Sequence, residues 1–571
     1  MGFEKAQEVV DAVSTFQRST NYLNLRSRWE GDFDLYRLKP YNAGAGYYSY
    51  TSNSPRVIAD KGISILMGAK LLIRIPEELL TDEERRISSN VERFIYGGLN
   101  SNDERSFYAP DEKTLRELKA WYSIIRGSWA ERIYVHKGED GKTKLEIKVW
   151  DIYNVAYGSD CKGMDWAAYV YKVKPQQAAL DYPDKFKNVS GAETVTRIDY
   201  WDREKNIIII DGQEVYRNVH KLSYCPVFIF RVNPTPVVYQ QNWQYTDSIA
   251  GESILASDRN LFPILNKTLS DLLTIVRRGV KVPVGYWSAD GSKTINEDIW
   301  QVEKAASVPL KTGEVIAPLL TQTMPADAMN LVNIAVGEVQ RGAWSHTTYG
   351  DVSTRLSGYA INQLNEAMAT VILPFVQAVE QSYLVDSLEL VKQFSKSSLP
   401  AVEVRGRNSR NQAFGYKKPV GIKPVELIGT WHPEVRLEMS LPKDEPSHYE
   451  MARYAREGEI PLLSDQTIRS ELLGIQDNDL EDAIIDREWA DKQIINRMYD
   501  AYMQYVAEEN YPKATNVLAA LRQVMSQQAA TQGKKSGTPA GFSSRTLPPE
   551  AAGGTPPATV NAVAPPEVGE V

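Results

Sequence analysis

Two helical segments with matching apolar stripes bracket a short run of strand and turn residues, and this arrangement constrains the fold more than any other feature. Residues 248–279 read as one long helix in which Phe262, Leu265, Leu269, Leu272 and Val276 are spaced three, four, three and four residues apart. Residues 325–344 repeat the pattern with Met329, Val332, Val336, Val339 and Ala343, and Pro325 suits a first helical turn. Stripes this narrow belong to helices that lie along other helices. Pro263 is expected to kink or loosen the first of them. Between the two, residues 280–324 carry strand-like runs at 281–286, 300–302, 307–310 and 314–316, with turn pairs Asp290-Gly291 and Thr312-Gly313. Two readings fit: a helical hairpin inside one core with an elaborate loop, and a two-helix stalk carrying a β tip.

The flanking sequence supplies helices on one side and strands on the other. Apolar residues recur at helical spacing over 57–66 and 87–95, with an aromatic, glycine-rich stretch at 41–50 between the first helices. From about 117 to 235 the chain turns β-rich, with short runs at 132–136, 145–150, 167–173, 194–201 and 227–232. Residues 206–210 and 213–216 flank Asp211-Gly212, which predicts a hairpin because that pair accepts the positive φ of its turn. After a polar loop at 345–353, a helical pattern covers 357–396 and should bend or split at Pro374. Strands are expected at 401–405, 425–427 and 435–439, then helices over 445–530. The last residues, 533–571, are rich in Pro, Gly, Ala, Ser and Thr with Phe542 as their one aromatic, too little apolar surface to offset ordering entropy.

Composition narrows the chemistry. The chain has 571 residues, 43% hydrophobic and 24% charged, enough for several packed modules. Its formal net charge of −8 disfavours tight gripping of nucleic acid through phosphates and leaves room for a sliding contact. Cys161 and Cys225 are the only cysteines, too few for a disulfide scaffold or a four-cysteine zinc site. The N-terminal residues lack the basic-then-apolar layout of a secretory leader, and the longest apolar run, at 367–379, falls short of the ~20 residues that span a bilayer.

The search for catalytic patterns is negative. There is no GxxxxGK[ST] loop, no GxSxG elbow and no HExxH; Gly44-Ala45-Gly46 lacks the rest of a dinucleotide fingerprint. His136, His220, His346, His432 and His448 are too far apart in sequence to pair as metal ligands and read as surface or packing residues. The acidic run Asp477, Asp479, Glu481, Asp482, Asp486 and Glu488 reads as a solvated helix face rather than a two-metal centre. Arg277, Arg278 and Lys281 form a basic knot that either complements a helix C-terminus or meets a partner. Neither enzymatic activity nor a cofactor is expected.

Four segments carry a family resemblance. Ser52-Asn53-Ser54-Pro55-Arg56-Val57-Ile58-Ala59 leads into Ser64-Ile65-Leu66-Met67-Gly68. Gly251-Glu252-Ser253 runs on to Asn266-Lys267-Thr268-Leu269-Ser270-Asp271. Val308-Pro309-Leu310-Lys311-Thr312-Gly313-Glu314-Val315-Ile316-Ala317-Pro318-Leu319 closes the insert, and Leu463-Ser464-Asp465-Gln466-Thr467 precedes Leu472-Leu473-Gly474-Ile475. In this order, over most of residues 20–500, the chain resembles the portal proteins of tailed bacteriophages.

The resemblance implies an α+β, portal-like subunit: a wing over 1–245, helical and then β-rich from about 117; a first stem helix, 246–279; a small α/β clip, 280–324; and a second stem helix, 325–344. A tunnel loop, 345–357, a long bent wing helix with return strands, 358–442, a helical crown, 443–532, and a disordered tail, 533–571, would complete it. It further implies a ring at one capsid vertex of the virion, a dodecamer in the family, built after synthesis in the host cytoplasm and without a membrane. Implied partners are other copies of the chain, double-stranded DNA passing through, the terminase motor, the major capsid protein, and head-completion or tail adaptor proteins. His346, Thr347, Thr348, Tyr349, Asp351 and Arg355 would face DNA in the tunnel loop, and Asn330, Asn333, Glu338 and Arg341 are candidates to line the channel. Arg277, Arg278, Lys281, Trp287 and Trp300 are candidates for partner binding at the clip. The alternatives are another virion protein, such as a head–tail adaptor, or a metal-dependent nuclease using the acidic run.

Overall fold

The computed structural model describes residues 2–76, 82–107, 112–138, 140–183, 185–186, 193–235, 250–280, 284–288, 312–313, 315–318, 327–342, 358–406, 420–429, 431–439, 453–454, 468, 485, 494–507, 512–513 and 515–522. The chain divides into two compact units, Met1–Glu450 and Met451–Val571.

The first unit opens with α1 (Ala6–Arg18), α2 (Thr20–Tyr36) and α3 (Ser54–Gly68), the last started by a proline in its first turn. Strand β1 (Lys70–Arg74) follows, then α4 (Asp82–Ser106) and α5 (Leu115–Arg126). Helix α5 is fixed at both ends: Thr114 and Glu117 form a capping box, and Gly127 closes it at φ +69°.

Strands begin at 128, after α5, rather than near 117 where the β-rich part was expected. The β-rich region comprises β2 (Ser128–Lys137), β3 (Thr143–Asp151), β4 (Val155–Asp160), β5 (Gly163–Val173), the short helix α6 (Pro175–Asp181), β6 (Val195–Asp202), β7 (Lys205–Ile210), β8 (Gln213–Val219) and β9 (Val227–Arg231). They form a three-stranded sheet, β3-β2-β9, and a five-stranded antiparallel meander, β4 through β8. Asp211 (φ +50°) and Gly212 (φ +77°) form the hairpin turn that the sequence predicted between β7 and β8. Strand β4 was not anticipated.

The first striped helix, α7 (Leu261–Val280), starts thirteen residues later than the sequence reading placed it. Residues 254–260 form turns instead, and Gly251 adopts φ +90° with its backbone against Gly127, where a Cβ would meet the Gly127 carbonyl at 2.3 Å. The expected kink at Pro263 is also corrected: it lies in the first turn of α7, where no intrahelical acceptor awaits an N–H. Strands β10 (Val284–Trp287) and β11 (Val315–Pro318) pair antiparallel before α8 (Asp327–Gly342). Helix α9 (Gly358–Ser395) runs for 38 residues, about 57 Å at 1.5 Å per residue. It continues through Pro374 rather than splitting there.

Strands β12 (Val402–Val404), β13 (Val420–Ile422) and β14 (Glu434–Glu438) complete the unit. Strand β14 pairs with β1, and β12 with β13. The strand expected at 425–427 is instead a 3-10 turn, Pro424–Leu427, because Pro424 sets a turn-compatible φ at its first position. The main core joins α3, α4, α5, β2, the start of α7, the end of α8 and α9; Phe94 stacks on Phe394 within it at 4.9 Å.

By length and composition, residues 368–395 of α9 pass as a candidate membrane span, contrary to the reading that no apolar run is long enough. Ile372, Val376, Leu390 and Phe394 are nonetheless buried in protein, alongside the buried Asp386 and Gln393. In the second unit, α10 (Ile494–Ala507) is followed by helical residues 515–522, and Lys513 lies over the Tyr505 ring at 5.6 Å.

Candidate functional site

Helices α7 and α8 pack against each other, and the paired strands β10 and β11 lie between them in sequence. Burial along the pair is graded. On α7, Phe262 and Leu265 are buried, Leu269 and Leu272 are half-buried, and Val276 is 52% exposed. On α8 the order reverses: Leu331 (55%) and Ile334 (62%) are exposed near its start, Val332 and Val336 are half-buried, and Val339 is buried. The pair is thus rooted in the core at the start of α7 and the end of α8 and loses cover toward β10 and β11.

A second face of α7 is buried by polar contacts. Asn266, Ser270 and Thr274 recur every four residues and are all buried. They accept the backbone N–H groups of Ser52 (2.8 Å), Tyr50 (2.8 Å) and Tyr48 (2.9 Å). Four helical residues rise about 6 Å and two extended residues about 6.6 Å, so an extended chain can follow this row rung by rung. The aromatic stretch at 41–52 is therefore an arm strapped along α7. Its Tyr47, Tyr48 and Tyr50 rings remain exposed, and the exposed Arg277 guanidinium lies 5.6 Å from the centre of the Tyr48 ring. The sequence carried this signal as a polar stripe at helical spacing, which the apolar stripe overshadowed.

The root of α7 is tied to α2 by charge. Arg259 binds Asp32 through two nitrogens, at 2.6 and 2.9 Å, and Glu252 at 3.0 Å, while Ser253 donates to Asp32 at 2.8 Å. Asp258 stands beside this network with one carboxylate oxygen buried and unpaired. Burial, and next the negative charge of Glu338 on α8, push its carboxyl up to about 6.

A sealed polar cluster anchors α9. Lys119 on α5 donates to Glu131 on β2 (3.1 Å), to Ser382 (3.0 Å) and to Asp386, and sits 4.0 Å from the Tyr383 ring centre. Trp129 donates to the other oxygen of Glu131. Burial, and next the negative charge of Glu131, raise Asp386 well above the usual carboxylate range, which disfavours its charged form. Lys119, Glu131 and Asp386 have no exposed side-chain surface. The cluster therefore joins three elements and offers nothing to a substrate.

The structure brings together part of the predicted site. Asn330, Asn333 and Glu338 are exposed on α8, and Arg341 lies on the same helix. Asn330, Asn333 and Glu338 share the exposed surface of α8 with the apolar Leu331 and Ile334, so that surface is mixed rather than polar. Arg277 is in the last turn of α7, and Trp287 ends β10 half exposed. The side chain of Arg278, all of Lys281 and Trp300, and the predicted tunnel-loop residues His346, Thr347, Thr348, Tyr349, Asp351 and Arg355 lie outside the described residues, as do the acidic run from Asp477 to Glu488 and the C-terminal tail. Among the described residues no cluster of His, Cys, Asp and Glu could hold a metal ion. His220 stacks on Trp201 at 5.7 Å and is pushed below its ordinary pKa by burial, which suits a packing role. No family model and no curated protein sequence matches the chain.

Proposed function

We propose that this chain is a portal subunit: a copy in a ring, about a dozen strong, at one vertex of a phage capsid, through which DNA is packaged and ejected. The observation that carries the reading is the graded helix pair. Val276, Leu331 and Ile334 are each more than half exposed on helices whose other ends are rooted in the core. An apolar side chain left in water forgoes roughly 1.5–3 kcal/mol of burial, and a neighbouring copy of the same pair would recover part of it. A ring contact is heterologous, one face of each subunit meeting a different face of the next, and α7 and α8 offer two such faces.

The exposed polar residues of α8 fit a wall that lets DNA slide. Asn330, Asn333 and Glu338 present neither a basic stripe nor a bidentate clamp, and the net charge of −8 opposes strong phosphate contacts. In this reading a separate terminase drives the DNA, the major capsid protein surrounds the ring, and adaptor proteins dock near Trp287 and the segment around it.

Negative-stain images of the purified chain test this: rings with a central hole support it, and a compact monomer at high concentration contradicts it. In a packaging reaction, deletion of residues 347–353 is expected to preserve rings and to impair DNA packaging or retention.

A further inference from the structure

Among the described residues, strand β9 lies at the edge of its sheet, paired with β2 alone. The direction of its unpaired groups follows from two bonds. Pro226 accepts from Ile133, and Val232 donates to Gly127, so in this antiparallel register the even-numbered residues of β9 face β2. Ile229 and Arg231 therefore turn their N–H and C=O groups outward. A cavity of about 730 Å³ lies against this edge, bounded across from β9 by residues of β4, β5 and the turn between them. Its size is that of pockets that enclose a small ligand or a few residues of chain.

The walls of this groove are cationic. Lys162, Arg203 and Arg231 line it, and among the described residues no carboxylate does. Arg203 is held by Asp160 at 2.7 Å and Asp165 at 3.7 Å. Arg231 bonds the Tyr157 hydroxyl at 3.4 Å and has no carboxylate partner among the described residues, while Lys162 is exposed, with Asp160 as the nearby carboxylate that its charge acts on. Val227, Phe228 and Ile229 supply apolar floor between the charges. On a chain whose balance is acidic, this is a local reversal of sign beside an open hydrogen-bonding edge.

We infer that the groove between β9 and the β4–β5 turn binds an extended acidic segment of a partner protein, which adds to β9 as a strand. The outward groups of Ile229 and Arg231 bond its backbone, its alternate apolar residues meet the groove floor, and its carboxylates meet Arg231 and Lys162. Nucleic acid would meet the same charges but make no use of the strand edge. The inference is independent of ring formation, since β9 and the groove lie within one subunit.

The test is fluorescence anisotropy of the full chain with a short labelled peptide of alternating valine and glutamate. Salt-sensitive binding is expected, weakened about tenfold by Arg231→Glu or by Lys162→Glu. Ile229→Pro removes the outward N–H while leaving the bonds to β2 in place, so it should abolish binding. A peptide alternating valine and lysine should not bind. The inference is overturned if the acidic peptide does not bind, or if either charge reversal leaves its affinity unchanged. It is also overturned if an oligothymidine strand binds more tightly than the peptide and keeps its affinity in Ile229→Pro. Should Ile229→Pro or Arg231→Glu fail to fold, Lys162→Glu, on an exposed turn, decides by itself.

Discussion

The backbone N–H of Tyr50 donates to the hydroxyl of Ser270 at 2.8 Å, and that hydroxyl donates in turn to the carbonyl of Asn266 at 2.7 Å. The arm at 41–52 is thus held by side chains of α7 rather than by a sheet. Ser270→Ala leaves the Tyr50 N–H without this acceptor and is expected to cost about 1–3 kcal/mol in chemical denaturation. Hydrogen exchange should localise the effect, with the amides of Tyr48, Tyr50 and Ser52 losing protection before those of the main core. Unchanged protection at these amides would show that the ladder does not hold the arm.

The acid pair at the root of the helices gives a pH dependence. Asp258 titrates near 6 in the folded chain against an ordinary value of 3.8. Between those values the folded state keeps a proton that the unfolded chain has released, so this group's contribution to stability is present at low pH and is lost as pH rises through about 6. Asp258→Asn should flatten that slope and add on the order of 1 kcal/mol at pH 7. A variant less stable than the parent at pH 7 would contradict the assignment.

The buried cluster on α9 predicts two unequal substitutions. Lys119→Met leaves Glu131 buried without its cation and should cost about 3–5 kcal/mol. Asp386→Asn removes a carboxyl whose charged form burial and Glu131 disfavour, keeps an acceptor for Lys119, and should cost less than about 1.5 kcal/mol. Equal losses, measured by urea denaturation, would contradict this ranking of the two substitutions.

The exposed apolar residues separate assembly from folding. Ile334, 62% exposed on α8, is expected to tolerate Ile334→Asp within about 0.5 kcal/mol of subunit stability. The same substitution should prevent self-association, read by sedimentation velocity. A variant that still assembles would remove this face from the interface.

Local signals in the sequence proved legible where one residue pair or period decides the structure. Asp211-Gly212 announced its hairpin because few other pairs tolerate two positive φ values in succession. The five predicted runs of the β-rich region became β2, β3, β5, β6 and β9 because β-branched and aromatic residues dominate them. Strand β4 was missed because Ala156, Gly158 and Ser159 carry little strand preference, and its pairing with β5 supplies what they lack. The start of α7 was misplaced because apolar residues at 254 and 255 keep the helical period while Gly251 and Asp258 impose turns. Nothing in the sequence announced the Lys119 cluster, whose members α5, β2 and α9 bring together from 12 and 267 residues apart. The arm's ladder was half legible: Asn266, Ser270 and Thr274 stood in register, and only the fold reveals which strand they hold.

Native mass spectrometry of the full chain, at a concentration where the subunit is folded, tests the central claim most directly. The account predicts one dominant closed assembly of about twelve copies, dissociated by Ile334→Asp. A single 64.3 kDa species persisting at high concentration would contradict it.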